Sequence, residues 1–201
     1  MLRQLRGHSP TVHPEARVAP TAVVSGAVTI GPGAVVLDGA VITAESASVE
    51  IGAESIVMEN AVVRGAGSHP AVIGERTMIG PGTHITGARI GGECMIATHS
   101  SVFNGAHLDD GVLVAIGAIV HVGTRLLEGD RVPMQHIAVG DPAEIYPPER
   151  AAEAHRAVER IGFTTQVFGH DTGDLSFRES MAWLCGTYSR ALRRHGHEKE
   201  V

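Results

Sequence analysis

Residues 73–85 read Ile73-Gly74-Glu75-Arg76-Thr77-Met78-Ile79-Gly80-Pro81-Gly82-Thr83-His84-Ile85, with an isoleucine at every sixth position. The same beat runs upstream through Val12, Val18, Val24, Ile30, Val36 and Ile42. Downstream it continues through Ile90, Ile96, Val102, Leu108, Val114, Val120, Leu126 and Val132. An α-helix repeats its apolar face about every 3.6 residues and a half-buried strand about every 2, so neither sustains a period of six. A parallel β-helix of hexapeptides does: short strands joined by tight turns, each turning one aliphatic side chain inward. Glycine follows the aliphatic at Gly31, Gly74, Gly80 and Gly91, and is read as serving turns where φ is positive.

Residue usage separates two regions. Of the seven aromatics only Phe103 precedes position 140; Tyr146, Phe163, Phe168, Phe177, Trp183 and Tyr188 follow it. Glycine leans the other way, with 20 of 25 before position 141. A narrow coil excludes rings from its interior, so the early region is the β-helix and the late one obeys other packing rules. The beat slips at 45–54 and 65–71, where bulges or small loops are expected. Beyond Gly140, Pro147-Pro148 opens a helix with apolar Ala151, Ala154, Val158 and Ile161, stopped by Gly162. Ser176 and Glu179 form a capping box for a second helix. Met181, Leu184, Cys185, Tyr188, Ala191 and Leu192 continue it at helical spacing, with Arg193, Arg194 and His195 in its last turn. Phe163 and Phe168 are expected to anchor the intervening segment.

Charge and composition exclude several functions. A net charge of −6 disfavours nonspecific binding to nucleic acid or anionic membrane, which needs a basic face. No run of 18 apolar residues offers a membrane span, and the polar start, Met1 to Pro10, is unlike a signal peptide. A cytoplasmic protein is expected. Cys94 and Cys185 stand alone, so no CxxC pair exists. Fifteen of the sixteen basic residues are arginine and the only lysine is Lys199, which excludes a P-loop and disfavours Schiff-base chemistry.

The hexapeptide beat resembles the hexapeptide-repeat superfamily, whose coils form a left-handed three-sided prism. The resemblance implies a β-helix domain over 11–140, after a lead-in at 1–10 and before a helical extension at 141–201. Three hexapeptides make one turn, so residues about 18 apart stack at roughly 4.8 Å. The 120 residues from Val12 to Val132 make nearly seven turns. The superfamily implies a homotrimer with sites between subunits. Within it, Ala61-Val62-Val63-Arg64-Gly65 followed by Ile73-Gly74-Glu75-Arg76-Thr77-Met78-Ile79 resembles the γ-class carbonic anhydrases, which read VxRGD and then IGxxTNIQD. Ala138-Val139-Gly140-Asp141-Pro142-Ala143 is similar to the superfamily's coil-ending GxPA. The chain departs from the γ-class pattern where that pattern does chemistry. The Asp of VxRGD is Ala66, and the Gln-Asp of TNIQD is Gly80-Pro81. In one register Pro81 and Thr86 stand at the family's histidines; in another, His99 and Asn104 do.

Zinc hydration chemistry needs three protein ligands and an open position whose water is acidified. His84 precedes inward Ile85 and His121 follows inward Val120, so both point outward from one face, two coils apart. His99 sits at the turn leading into that face. A divalent metal, zinc, shared by His84, His99 and His121 across a subunit boundary is therefore one expectation. Arg64 suits an anionic substrate through its planar fork, or an intersubunit ion pair with an acid such as Glu59. Glu59 is otherwise a proton carrier, and His69, in the irregular loop after Arg64, a ligand contact. His107 and His136 read as surface residues. Three functions stay open. The first is a metal-dependent hydratase or lyase acting on CO2, bicarbonate or another small carboxylate or carbonyl substrate. The second is an acyltransferase using acyl-CoA or acyl-carrier protein, with His69, His84 or His99 as base. The third is a binding or scaffold protein that kept the prism and lost the metal.

Overall fold

Ile30, Ile51, Ile73, Ile90, Leu108 and Leu126 stack in one column in the computed structural model, paired in parallel register from coil to coil. The structure describes residues 1–170, 173, 175–193 and 199–200. The chain winds as a left-handed parallel β-helix with three faces. The first face holds seven strands, from Thr11–Val12 to Arg125–Leu126, and the second seven, from Arg17–Val18 to Arg131–Val132. On the third, eight parallel rungs run from Leu2–Gln4 to Ile137–Val139. The residues before Pro10 thus add a rung, with Leu2 opposite Val24. After Gly140 the chain reverses, and Glu144–Tyr146 pairs antiparallel with Ile137–Val139.

The inward columns are the core. Ile42, Val63, Ile85, Val102 and Val120 on the third face, and Val36, Val57, Ile79, Ile96 and Val114 on the second, are fully buried. At about 25 cal/mol per Å² of apolar surface, each such side chain contributes roughly 1.5–3 kcal/mol, repeated coil after coil. Branched aliphatics fill a triangular interior of one side chain per face, and among the described residues no aromatic enters it. The glycines that follow the aliphatics have a different role from the one expected. Gly74 does not have a positive φ; a β-carbon there would lie 2.4 Å from the Gly91 carbonyl carbon of the next coil. Close approach of successive coils requires glycine at this position, while positive φ falls later in the turn, as at Gly82 and Gly111.

The two irregular stretches are insertions at one edge. Ile30 to Ile51 spans 21 residues and Ile51 to Ile73 spans 22, against 18 from Ile90 to Leu108. The extra residues leave the prism between the third and first faces, as the loops 45–48 and 66–69. The second is closed by reciprocal backbone hydrogen bonds between Ala66 and His69, both 3.1 Å. A similar turn joins Leu5 and His8 three coils earlier.

Outward residues differ by face. The first carries Thr29, Glu50, Val72, Arg89, His107 and Arg125 in register, a surface polar but for Val72. On the second, an unbroken apolar column runs Val35, Ile56, Met78, Met95 and Leu113, bounded by Arg17 and Arg131. Met78 and Met95 are 37% and 47% exposed. The third face carries Arg64, His84, Thr86, Phe103 and His121.

Among its described residues the extension forms three α-helices. Pro148–Arg150 is a 3₁₀ turn leading into α1 (Ala151–Ile161), whose Ala154 and Ala157 pack on Val139 and Tyr146. Gly162, left-handed at φ 71°, ends it. A short α2 (Phe163–Phe168) occupies a segment read from sequence only as a connector. The side chains of Phe163 and Phe168, expected anchors, lie outside the described residues. α3 (Phe177–Arg193) opens on the expected box: the Ser176 N–H donates to Glu179 Oε2 (2.9 Å), and the Glu179 N–H to Ser176 Oγ (3.3 Å). Arg194 and His195 lie outside the described residues. No described helix is long and apolar enough to cross a membrane.

Candidate functional site

Arg64 stands outward on the third face, between Thr43 of the preceding rung and Thr86 of the following one. Its Nη2 donates to the Glu45 carboxylate and to the Tyr188 hydroxyl. The Tyr188 hydroxyl in turn donates to Glu45, 3.2 and 3.1 Å from the two oxygens. Glu45 comes from the first inserted loop and Tyr188 from α3, so the three side chains join the edge, the face and the last helix. The Arg6 Nη1 donates to the Glu45 backbone carbonyl at 3.3 Å. The Gly67 N–H donates to Ser46 Oγ at 2.6 Å, tying the two loops together. Burial pushes the Glu45 carboxyl above its ordinary range, opposed by the charge of Arg6, and pulls the Arg64 guanidinium below its own.

Around this triad lies a cavity of about 580 Å³ between the third face and α3. Phe103, Val167, Trp183, Leu184, Tyr188 and Ala191 form its apolar walls; Arg6, Glu45, Arg64, His84, Thr86 and Asn104 supply its polar groups. The Nε2 of His84 hydrogen-bonds the Thr86 hydroxyl at 2.9 Å. Burial first, and the Arg64 charge second, lower the His84 pKa, so this imidazole is neutral at pH 7. Trp183 is stacked on His170, ring centroids 4.0 Å apart.

The residues expected from sequence divide between this face and its two edges. Arg64 and His84 line the cavity. His121 shares the face but stands beyond Phe103, whose ring centroid is 6.5 Å from His84 and 5.8 Å from His121. Burial lowers the His121 pKa too. His99 and Glu59 sit exposed at turns of the edge shared with the second face, where the Gly82 N–H donates to the Glu59 carbonyl. His69 lies at the opposite edge, over two glycines: a β-carbon on Gly87 would come within 2.6 Å of His69 Cβ. Among the described residues, its buried Nδ1 has no hydrogen-bond partner. Within the chain the acid that meets Arg64 is Glu45, which the sequence reading passed over, along with Tyr188, Trp183 and Arg6. Only the slip in the six-residue beat at 45 pointed to that loop.

Coils of three hexapeptides stacked in register, with aliphatics inward and glycines where coils touch, decide the superfamily. The chain belongs to the hexapeptide-repeat superfamily. No family model matches it. It is 31% identical over 128 residues to gamma carbonic anhydrase 1, mitochondrial, of Arabidopsis thaliana, covering 61% of this chain and 46% of that protein. It is 28% identical over 119 residues to the carnitine operon protein CaiE of Escherichia coli K12, covering 59% and 61%. The chain spans about half the length of the first curated relatives it matches. Among solved structures it is similar to LpxA, a UDP-N-acetylglucosamine acyltransferase of Bacteroides fragilis. There the TM-score is 0.49 with 17% identity, covering 87% of this chain and 88% of that one.

The γ-class resemblance raises zinc, and the cavity's donor set does not fit it. Thr86 and Asn104, each standing at a γ-class histidine in one register or the other, both line the cavity. A hydroxyl and a carboxamide are not the nitrogen, sulfur and carboxylate ligands zinc takes. The remaining donors are one imidazole and a carboxylate already held by Arg64. Among the described residues, no three His, Cys, Asp or Glu side chains of one chain gather around a point. His84, His99 and His121 meet one ion only if a second subunit contributes.

Proposed function

We propose that this hexapeptide-repeat protein binds and transforms a small carboxylate or carbonyl compound in the cavity beneath α3. The observation that carries the reading is the cavity itself: about 580 Å³, largely apolar, with its polar groups gathered on the β-helix side. Sites of this size suit drug-sized organic ligands, and CO2 or bicarbonate would leave most of it unfilled. In this reading Arg64 orients the oxygen-bearing end. His84, neutral and fixed by Thr86, takes up or delivers a proton. Isothermal titration with a panel of carboxylates, aldehydes and ketones, beside a stopped-flow CO2 hydration assay, tests it. Binding abolished by Arg64→Gln with negligible CO2 hydration supports the reading. Fast CO2 hydration, or heat on acyl-CoA alone, overturns it.

The apolar second face supports self-association. A continuous ladder of Val35, Ile56, Met78, Met95 and Leu113 is covered, in this reading, by further copies of the chain, in the homotrimer the superfamily implies. A second reading, a metal shared across a subunit boundary by His84, His99 and His121, draws on one observation: burial keeps His84 and His121 neutral, the form that ligates metal. Metal content of untagged protein, compared with His84→Ala, separates the two.

A further inference from the structure

The cavity is unevenly charged. Its lining holds two guanidinium groups, Arg6 and Arg64, and one carboxylate, Glu45; His84 is neutral. Among the described residues the site therefore carries one net positive charge, at one end of a chamber walled by Phe103, Val167, Trp183, Leu184 and Ala191. A ligand that satisfies both halves has a single negative charge and an apolar body. A dianion would overshoot, and a neutral molecule would leave the charge of exposed Arg6 to solvent alone.

The position of Glu45 adds a second element. Its carboxylate accepts from Arg64 Nη2 and from the Tyr188 hydroxyl, the groups a carboxylate ligand needs. Glu45 belongs to an inserted loop rather than to a rung, so it moves without unpairing a strand. Burial already disfavours its charged form, and swinging toward Arg6, which is exposed and still within the site, relieves that cost.

We propose that the cavity takes a monocarboxylate with an aryl or alkyl body, and that Glu45 is a built-in competitor which the ligand's carboxylate displaces from Arg64. This deepens the function proposed above and rests on it. The exchange is balanced: one carboxylate replaces another on Arg64 and Tyr188, Glu45 keeps its charge, and the site goes from one net positive charge to none. Glu45 thereby sets specificity, because a neutral carbonyl compound cannot dislodge a carboxylate from a guanidinium, whereas a carboxylate attached to a buried apolar group can.

The chain's single tryptophan, Trp183, lines the cavity, so its fluorescence reads occupancy in the full-length protein. The probes are 4-phenylbutanoate, its primary amide 4-phenylbutanamide, and acetate. The expected result is saturable binding of 4-phenylbutanoate, with the amide and acetate each at least tenfold weaker. Glu45→Gln should tighten 4-phenylbutanoate binding about fivefold or more, and Arg64→Lys, which keeps charge but loses the fork, should weaken it about tenfold. Circular dichroism melts establish that each variant is folded. Unchanged or weaker binding by a folded Glu45→Gln protein overturns the competitor role, while leaving the carboxylate site standing if Arg64→Lys still weakens binding. Equal affinity for acid and amide overturns the monocarboxylate class. Failure of every carboxylate and carbonyl probe to bind overturns the underlying function as well.

Discussion

The Tyr188 hydroxyl donates to Glu45 across 143 residues of sequence, 3.1 Å from Oε2, and this contact ties α3 to the edge of the prism. α3 has no fully buried residue, so its docking depends on a partial apolar face and on this polar tie. A hydrogen bond to a charged acceptor contributes about 1.5–3 kcal/mol. Tyr188→Phe keeps the ring against Arg64, whose guanidinium carbon is 5.9 Å from the ring centroid, and removes only the hydroxyl. Amide exchange of 177–193 should then accelerate about tenfold or more, with exchange in the strands unchanged. Equal protection of α3 in both proteins would show that the apolar contacts suffice.

The prism could be read from sequence because its rule is local and repeated. An inward position recurs every sixth residue, and a mismatch at any coil would leave a void or a clash, so Ile90, Ile96, Val102 and Leu108 announce the coil wherever one starts. The insertions were visible as failures of the rule. What they do was not, because Glu45 meets Arg64, 19 positions on, only after the chain between them folds into one full coil plus a loop. Tyr188 reaches the same point from a helix whose docking no periodicity specifies. Weighing histidines by chemical type brought out His84, which the cavity includes, together with His69 and His99, which the fold sends to opposite edges. The glycine after each aliphatic was noticed, but its cause, contact with the next coil, is a long-range property.

That contact gives a sharp stability test. At Gly74 a methyl group would meet backbone of the next coil at 2.4–2.5 Å, with no flexible side chain to yield. At Gly123 nothing lies within 4 Å of the corresponding position, although φ there is 63°. Gly74→Ala is expected to cost several kcal/mol and Gly123→Ala about 1 kcal/mol, the usual left-handed penalty. Ile85→Ala, which hollows a fully buried position, should cost about 2–5 kcal/mol. Urea denaturation midpoints rank the three, and a Gly74→Ala protein as stable as Gly123→Ala contradicts the packing account.

Association through the second face is tested at Met95, the more exposed of its two methionines at 47%. A charge there would be buried without a partner beside Met78 and Leu113 if copies meet on this face. Met95→Glu should therefore convert the assembled species to monomer by light scattering coupled to size exclusion, with the circular dichroism of the prism unchanged. The control is Thr29→Glu on the polar first face, which should leave the mass as it is. If Met95→Glu stays assembled, the contact lies elsewhere.

Acid should loosen the third face through its histidines. His84 and His121 have folded-state pKa values below the ordinary 6.5, in both cases chiefly because burial disfavours the charged ring. The unfolded chain thus binds more protons than the folded one between the depressed values and 6.5, and stability rises with pH across that window. Their contribution is complete above about 6.5 and is lost as pH falls through the folded values. Glu45 has the opposite sign. Its raised pKa favours the folded state at low pH, and that benefit fades as pH climbs through its folded value, starting above the ordinary 4.5. Comparing proteins that both keep Glu45 therefore isolates the imidazoles. Between pH 7.5 and pH 5.5 the wild-type urea midpoint should fall, and it should fall less in the double variant His84→Gln, His121→Gln. Parallel losses in the two proteins would mean that the rings admit a proton without cost, and that the face around Phe103 is wetter than its packing implies.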